Sequence, residues 1–348
     1  MTSDETPVPR RRGPSMADVA RLAGVSGQTV SRVANDRHNV DAATRDRVLA
    51  VMREVGYRPN SAARALRNGQ FRSIGVIVFE LSSFGNTRTL DAIATAATTS
   101  GYAVNLLPVL DATQGAVSMA FTRLGEQAVD GVIILIEAHK LDEAEVLLPE
   151  GLPVVVVDSS AQYDYPIVDT DQAQGARLAT EHLLDLGHET VWHLGGPLSS
   201  FAASRRRRSW RQTLTDRGRA VLPVLVGDWS PGSGYDAGRR LAADADVTAV
   251  FAANDQMALG LVRALHEAGR TVPDDVSVVG FDDMEEAAYF WPPLTTVRQS
   301  FAEVGRRSVD ALISEIRAGE HHHQPVSVAT ELVIRSSTAP PRRSPAVH

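Results

Sequence analysis

The sequence contains no cysteine and a single lysine, Lys140, among its 348 residues. The absence of cysteine excludes disulfide bonds, a thiol nucleophile and metal sites built from thiolates. No apolar run approaches the about 18 residues that a membrane-spanning helix needs. The N-terminal residues, MTSDETPVPRRRG, lack the apolar core of a signal peptide. We therefore expect a cytoplasmic protein that does not contact a membrane.

Only the first part of the chain has a net positive charge. Residues 1–72 carry 13 arginines and 7 acidic residues, a net charge of +6, whereas the remaining residues carry a net charge of −13. A basic head on an acidic body indicates that only the head meets a polyanion. The Pro- and Arg-rich residues 1–14 have no apolar periodicity, which predicts a disordered tail.

Two short helical patterns with a tight joint follow this tail. Ser15 is a good cap for the helix MADVARLA, Gly24 ends that helix, and Ser26 can cap a second one with Val30 and Val33 on its inner face. The joint of about three residues is typical of a helix-turn-helix. A third helix, opened by Asp41, follows to about residue 55. A generic three-helix bundle is the alternative, but the charge and the turn favour DNA binding.

The order of DVARLAGVSGQTVSRVAN, TRDRV, GYRPN and AARALR resembles the DNA-binding head of the lactose repressor family. The resemblance implies that Gln28 and Arg32 read bases in the major groove. It implies phosphate contacts from Ser26, Thr29, Asn35, Thr44 and Tyr57. It also implies a hinge helix that contains Asn60, Ala63 and Leu66, with Leu66 as an apolar wedge between base steps; an ordinary linker leucine is the alternative.

After Ser73 the pattern changes to short apolar runs that alternate with stretches of helical length. The runs are IGVIVF, YAVNLL, GVIILI, PVVVV, TVWHLGG, LPVLV, TAVFAA and VSVVGF. Such alternation predicts parallel sheets covered by helices. Eight units exceed one comfortable sheet, so we expect two doubly wound lobes with a cleft between them, and a (β/α)8 barrel is the alternative.

Three polar side chains follow strands of the predicted sheets: Asp158, Asn254 and Asp282. Because ligands of open α/β sheets bind at the carboxyl ends of strands, these residues should meet in one crevice. Asn254 could equally cap a helix. Carboxylates and amides suit a sugar, and Trp229 offers a flat apolar face, although it could also anchor its loop.

The core also resembles the lactose repressor family, through GPLSS, GDW, ANDQMALG, DVSVVGFDD and PPLTTVRQSF in the family's order. The resemblance implies that sugar hydroxyls bond to Asp158, Arg206, Asn254 and Asp282, and that Trp229 and Phe301 contact the ring. Arg206 belongs to the run Arg205–Arg208, which would otherwise be a solvated helix face. A galactoside-like inducer and a homodimer are implied, without a cofactor or a metal.

Two positions depart from the family's lactose-responsive member. Gly27 stands where that member has a base-reading side chain, and Ala202 stands where it has a ligand-contacting hydroxyl. The first departure predicts a different operator. The second leaves the exact sugar open, because a missing hydrogen bond in a buried site changes specificity more than a lost methylene does. The residues LSSFGNTRTL on the far side of the pocket also differ.

The expected architecture is an all-α helix-turn-helix head and an α/β core of two doubly wound parallel-sheet lobes, as in periplasmic binding proteins. The expected boundaries are a tail over 1–14, a DNA-binding domain over 15–58, a hinge over 59–72, a core over 73–338 and a tail over 339–348. Within the core, the resemblance implies three crossings between the lobes, with a first lobe at about 73–169 and 301–326 and a second lobe at about 170–300 and 327–338. The C-terminal STAPPRRSPAVH has no leucine heptads, which favours a dimer over a tetramer.

The leading function is a transcriptional repressor of a carbohydrate-utilisation operon that a sugar inducer releases from operator DNA. A regulator that needs its ligand as corepressor is the alternative within this class. A sugar hydrolase is less favoured, because the sequence has no glycine-flanked nucleophilic serine, no HExxH and no phosphate loop. A transporter's solute-binding protein would need an export signal. His321–His323 fit a loop better than a metal site.

Overall fold

The computed structural model describes residues 13–35, 39–57, 69–79, 81, 83–109, 114–135, 151–157, 165–318 and 325–342. The chain forms two compact units, Met1–Phe71 and Arg72–His348. The first unit is the head and the second is the core. Among the helices described, none is long and apolar enough to cross a membrane.

The described residues of the head form three helices: α1 (Met16–Ala23), α2 (Gly27–Ala34) and α3 (Ala42–Val55). Ser15 and Ser26 cap α1 and α2 as predicted, since each hydroxyl accepts a hydrogen bond from the backbone three residues later. Gly24 ends α1 at φ 68°, a left-handed conformation that glycine adopts without strain. The predicted helix-turn-helix is confirmed.

A small apolar core joins the three helices of the head. Val19, Val30 and Val48 are fully buried, and Met52 lies beside them. Tyr57 packs against this core from the end of α3. The predicted hinge residues Asn60, Ala63 and Leu66 lie outside the described residues.

The core contains two six-stranded sheets with helices between the strands. The first sheet has the order β11-β5-β4-β3-β1-β2 and the second has the order β12-β10-β9-β8-β6-β7. The strands are β1 (Ser73–Val78), β2 (Ala103–Pro108), β3 (Gly131–Leu135), β4 (Val154–Val157), β5 (Ile167–Thr170), β6 (Trp192–Gly195), β7 (Leu225–Val226), β8 (Ala249–Ala252), β9 (Ser277–Asp282), β10 (Thr295–Arg298), β11 (Val326–Val328) and β12 (Glu331–Val333). All the pairings are parallel except β10 with β12.

Helices connect the strands and cover the sheets. They are α4 (Phe84–Thr99), α5 (Gln114–Glu126), α6 (Gln172–Asp185), α7 (Phe201–Asp216), α8 (Pro231–Ala242), α9 (Asp255–Glu267) and α10 (Phe301–Ala318), with a 3-10 turn at Glu285–Tyr289. Strands β3, β4 and β8 are buried along their whole length, as expected for parallel strands with both faces covered. Two lobes are therefore confirmed, and the barrel alternative is wrong.

The chain crosses between the lobes slightly later than the sequence predicted. Thr170 lies in β5 of the first sheet, although residue 170 was assigned to the second lobe. Residues 327 and 328 lie in β11, which pairs with β5 in the first sheet. The approximate bounds that the resemblance implied therefore lie within two residues of the crossings.

Residues 339–342, predicted to be a tail, pack on the second lobe. The Ala339 carbonyl bonds to His188 Nε2 at 3.1 Å and accepts from Ser277 Oγ at 2.9 Å. Arg342 forms ion pairs with Asp274 and Asp275. The predicted tail boundary at 339 is therefore too early, because backbone and charge contacts hold a segment that has little apolar content.

Helices α8 and α9 approach each other closely enough to exclude side chains at their contact. A Cβ atom on Gly260 would lie 1.9 Å from the Pro231 carbonyl oxygen and 2.6 Å from the Tyr235 backbone nitrogen. These neighbours are backbone atoms, which cannot rotate away as a side chain can. Glycine at position 260 therefore sets the separation of the two helices.

The substitution Gly260→Ala should lower the free energy of unfolding by about 3 kcal/mol, because the added methyl group must push two helices apart. Chemical denaturation of the purified chain measures this change. Gly232→Ala on α8 is the matched control, since its new Cβ would lie 3.6 Å from the nearest atom, Ser230 Oγ. The control should keep or raise stability by up to about 1 kcal/mol. Equal losses in both variants would contradict the contact argument.

Candidate DNA-binding face and ligand cavity

The second helix of the head presents an uncrowded polar face. Gln28 is exposed and Arg32 is partly exposed, and both belong to α2. Nothing lies within 4 Å of the position that a Cβ atom of Gly27 would occupy. This face can donate hydrogen bonds to base edges from Gln28 and Arg32, but it has no side chain at Gly27.

Several of the predicted phosphate-contacting residues already have partners within the head. Ser26 Oγ accepts from the Thr29 backbone N–H at 3.1 Å and lies 3.0 Å from the Thr29 hydroxyl. Asn35 donates its side-chain N–H to the Ser31 carbonyl at 2.5 Å. Thr44 is the first-turn residue of α3 whose N–H bonds to Asp41 at 2.9 Å. These bonds fix the ends of helices α2 and α3.

The core holds a cavity at the carboxyl ends of the strands of both sheets. Leu135, Val157 and Thr170 line it from the last positions of β3, β4 and β5, and Asp282 lines it from the last position of β9. The cavity is also lined by Ser83, Phe84, Gly85, Asn86, Thr89, Asp169, Gln172, Ala202, Arg206, Trp229, Asn254, Gln299, Phe301 and Val304. Its position at the strand ends is where ligands bind in open α/β sheets.

Four buried polar side chains form a ring on the second-lobe side of the cavity, joined by three hydrogen bonds and closed by an ion pair. Arg206 Nε donates to Gln172 Oε1 at 2.8 Å, and Gln172 Nε2 donates to Gln299 Oε1 at 3.2 Å. Gln299 Nε2 donates to Asp282 Oδ1 at 2.7 Å, and that oxygen lies 3.7 Å from the Arg206 guanidinium. We call these four residues the polar ring. Each member orients the next one, so the ring is preorganised.

Arg206 is 4% exposed, and the protein satisfies its charge from several directions. The guanidinium donates to the Ala253 carbonyl as well as to Gln172. It lies 3.7 Å from the centre of the Phe281 ring, a cation–π contact that is strong when water is excluded. Burial raises the pKa of Asp282 to about 6, although Arg206 and the Gln299 hydrogen bond oppose this shift.

Asn254 lines the cavity and also caps a helix, so both roles considered for it have structural support. Its Oδ1 accepts from the Met257 N–H at 2.9 Å at the start of α9, and its Nδ2 donates to the Trp229 carbonyl at 3.0 Å. The second bond holds Trp229, whose φ of 72° is unusual for a residue other than glycine. The Trp229 ring lies against Gly196, where a Cβ would come within 2.4 Å of it.

The first-lobe side of the cavity is aromatic. Phe301 begins α10 and meets Phe84, the first residue of α4, at a centroid distance of 5.9 Å and an angle of 80°. The edge-to-face arrangement is favourable for two aromatic rings. Together with Trp229, these rings give the cavity flat apolar surfaces beside its polar ring.

Five of the six predicted ligand-binding residues line this one cavity: Arg206, Trp229, Asn254, Asp282 and Phe301. Asp158 lies outside the described residues. The sequence analysis missed Gln172 and Gln299, which connect Arg206 to Asp282. Gln299 directly follows β10, and Gln172 lies two residues after the end of β5. Neither short strand was recognised from the sequence, so these strand-end positions were not visible.

Family models match both units of the chain. "Bacterial regulatory proteins, lacI family" matches residues 15–60, and "Periplasmic binding protein-like domain" matches residues 180–338. The lactose operon repressor of Escherichia coli is 37% identical over 340 residues, which cover 94% of this chain and 93% of the relative. The chain belongs to the lactose repressor family. It is a DNA-binding transcriptional repressor with a ligand-binding core.

Other members of the lactose repressor family share the architecture along nearly the whole chain. The transcriptional repressor PurR of Vibrio parahaemolyticus is 33% identical and covers 93% of this chain and 98% of its own length. A crystal structure of the lac repressor dimer bound to operator and the anti-inducer ONPF has a TM-score of 0.84 at 35% identity, over 94% of this chain and 100% of that one. A complex of the regulator CelR with cellobiose has a TM-score of 0.68 at 30% identity, over 93% and 99%. These relatives are regulators and not enzymes.

Three histidines of the second lobe that the structure describes, His182, His188 and His193, do not line the cavity. His182 bonds to Thr338, His188 bonds to Thr248, and His193 bonds to the Phe251 carbonyl, each at 3.0 Å. Burial lowers the pKa of His193 to about 3, which keeps its ring neutral. Within the described residues, no group of three or more His, Asp or Glu side chains could hold a metal. His321–His323 lie outside those residues.

The pKa of Asp282 predicts a pH dependence of stability. The folded-state pKa of Asp282 lies above the ordinary value of 3.8, so the folded chain holds the proton of this carboxyl more tightly than the unfolded chain does. The stability that this preference contributes is fully present below pH 3.8 and is lost as the pH rises through about 6. Asp282→Asn should therefore gain stability relative to the wild type between pH 4 and pH 8, by at most about 3 kcal/mol. Asp255, whose pKa is raised by burial and by Asp282, acts in the same direction.

Urea denaturation of both chains at several pH values measures this difference. Asp236→Asn, an exposed carboxylate on α8, is the control and should show no such trend. A constant difference between Asp282→Asn and the wild type across this range would show that Asp282 stays ionised throughout.

Proposed function

We propose that this chain represses a carbohydrate-utilisation operon and that a neutral sugar, bound in the cavity, releases it from operator DNA. The observation that carries the proposal is the polar ring opposite aromatic side chains in a cavity at the strand ends. Carboxylate, amide and guanidinium groups can bond the neighbouring hydroxyls of a sugar, and aromatic rings can cover its C–H faces. The proposal also places the chain in the bacterial cytoplasm, with its operator.

The balance of charge in the cavity supports a neutral ligand. Arg206 is matched by Asp282, and Arg205 forms an ion pair with Asp169. An acidic ligand such as a sugar phosphate needs a cation that is not already matched by a carboxylate. The relatives that share this architecture are transcription regulators, which disfavours the hydrolase alternative.

Six residues are our candidates for contacts with the sugar. Arg206 and Asp282 would bond hydroxyls directly, and Asp158 would join them from the first lobe. Asn254 would act mainly through Trp229, because both of its side-chain polar atoms already have partners. Trp229 and Phe301 would contact the apolar faces of the ring. A galactoside is our first candidate, from the resemblance to the lactose repressor, although Ala202 offers no hydroxyl.

The proposed DNA contacts follow from the head. Gln28 and Arg32 would read bases, while Ser26, Thr29, Asn35, Thr44 and Tyr57 would hold phosphates. Asn60, Ala63 and Leu66 would form the hinge helix, with Leu66 inserted in the minor groove. A ligand that favours a lobe arrangement incompatible with an ordered hinge would lower operator affinity, and the same linkage would make the operator weaken ligand binding.

A homodimer completes the proposal, since paired heads can read a two-fold symmetric operator. The core has exposed aromatic side chains that a second copy could cover: Trp291 is 92% exposed and Tyr289 is 84% exposed. Large exposed aromatic groups close together are typical of protein interfaces. A palindromic site should therefore bind much more tightly than a single half-site.

Arg206→Ala and Asp282→Asn should abolish the response to ligand while they leave operator binding within about twofold of the wild type. A thermal-shift screen of galactose, lactose, cellobiose and ribose identifies the sugar, and fluorescence anisotropy on a palindrome upstream of a neighbouring sugar operon measures release. Arg208→Ala, an exposed arginine on the same helix, is the control and should respond normally.

Retention of the response in both ring variants would remove Arg206 and Asp282 from the site. A sugar that tightens operator binding would instead establish the corepressor alternative. If the wild-type chain shows no salt-dependent preference for any such palindrome, the regulator proposal fails.

The operator should tolerate every base at the position that faces Gly27, because glycine offers no side chain to read it. Selection from a randomised operator library, followed by sequencing, measures the base preference at each position. The positions that face Gln28 and Arg32 are the internal comparison, and a wrong base there should cost about 1–3 kcal/mol. A strict preference opposite Gly27 would require another reader, such as the N-terminal arginines.

A further inference from the structure

One ion pair of the core joins the two lobes. Asp169 lies in β5 of the first sheet, and Arg205 lies in α7, which packs on α6 and β6 of the second lobe. The Arg205 guanidinium donates to Asp169 Oδ2. The Asp169 side chain is 7% exposed and the Arg205 side chain is 35% exposed. The sequence alone suggested a solvated face for Arg205, but the arginine is committed to a nearly buried carboxylate.

The pair lies beside the cavity, at the place where the chain passes from the first lobe to the second. Asp169 lines the cavity, and the next residue but one, Asp171, caps the first helix of the second lobe. An ion pair at Asp169 restrains the end of β5, from which the chain passes into the second lobe. Arg205 is also next in sequence to Arg206, so the same turn of α7 contacts the crossing strand and the polar ring.

A second contact, with the ring of Phe201, also restrains the Arg205 side chain. Its guanidinium lies 4.5 Å from the centre of the Phe201 ring, one turn earlier on α7. A planar guanidinium stacked on a ring loses less freedom on pairing than a mobile one does. Phe201 is 8% exposed, so the stack is anchored in the second lobe. The ion pair therefore joins a nearly buried carboxylate of the first lobe to an arginine that is held against a buried ring of the second lobe.

Loss of one member of the pair would have a consequence for the lobes. A carboxylate as buried as Asp169 is costly without its cation, and the simplest way to hydrate it is to open the cleft beside it. An opened cleft would separate the first-lobe wall of the cavity from the polar ring. The distance between the two walls of the cavity therefore depends on the ion pair between Arg205 and Asp169.

We propose that Arg205 is a positioning residue of the ligand cavity, which holds Asp169 across the lobe crossing and so fixes the first-lobe wall against the polar ring. This inference rests on the proposed function for the meaning of the cavity, but the link itself requires neither sugar nor DNA. Its test can therefore fail independently of the proposed function.

The absence of cysteine allows the lobes to be labelled specifically in the full-length chain. Ser118→Cys on α5 and Ala243→Cys after α8 are exposed positions, one in each lobe, for nitroxide labels. Pulsed electron spin resonance then measures the distance distribution between the labels, without sugar or DNA. Dilution of labelled chain into excess unlabelled chain suppresses distances between copies.

Arg205→Met should broaden this distribution and shift it to longer distances, and Arg205→Lys, which keeps the charge, should restore it largely. Arg208→Met, an exposed arginine on the same helix, is the matched control and should leave the distribution unchanged. Should Arg205→Met fail to fold, as judged by circular dichroism, Asp169→Asn removes the charge with little change in volume and should broaden the distribution in the same way.

Three results would overturn the proposal. The first is an unchanged distribution in Arg205→Met, or in Asp169→Asn where that variant takes its place. The second is an equal shift in Arg208→Met. The third is a shift in Arg205→Met that Arg205→Lys does not reverse, because this would assign the effect to packing on Phe201 and not to the ion pair.

Discussion

The burial of one guanidinium organises the ligand-binding half of this molecule. Arg206 is 4% exposed, and a charge so far from water is tolerated only when hydrogen bonds and an opposite charge surround it. Gln172, the Ala253 carbonyl, Asp282 and the face of Phe281 together supply this environment. These groups lie at the start of α6, just after β8 and at the end of β9. Because the Arg206 guanidinium contacts all of them, it fixes the positions of these ends relative to one another. The cavity is the space that remains beside this arrangement.

The head and the core differ in the contacts that position their functional residues. The head relies on local devices, since Ser15, Ser26 and Asp41 each cap a helix within their own turn. The core relies on contacts distant in sequence, such as Gln172 with Gln299. A face built from local caps can change its base-reading side chains without disturbing its fold, and Gly27 is an example. A cavity built from distant contacts is less free to change, because each member orients another.

This difference also explains what the sequence could predict. Caps and apolar spacing revealed the helices of the head, and long runs such as those of β1 and β9 revealed most strands. The strands β5, β10, β11 and β12 contain three or four residues with polar members, so periodicity did not detect them. Gln172 and Gln299 were missed with the strands that precede them. The charge run Arg205–Arg208 was ambiguous, because only tertiary structure separates the buried Arg206 from the exposed Arg208.

The polar ring closes on itself, and this closure determines what a ligand can gain. A hydroxyl that bonds Gln172, Gln299 or Oδ1 of Asp282 competes with or shares a hydrogen bond that the protein already has. Binding is then an exchange of partners, whose net free energy per bond is small. The cavity should discriminate among stereoisomers more strongly than it attracts any one of them. A ligand that binds with modest affinity dissociates quickly, so the bound fraction of the protein can follow a changing ligand concentration.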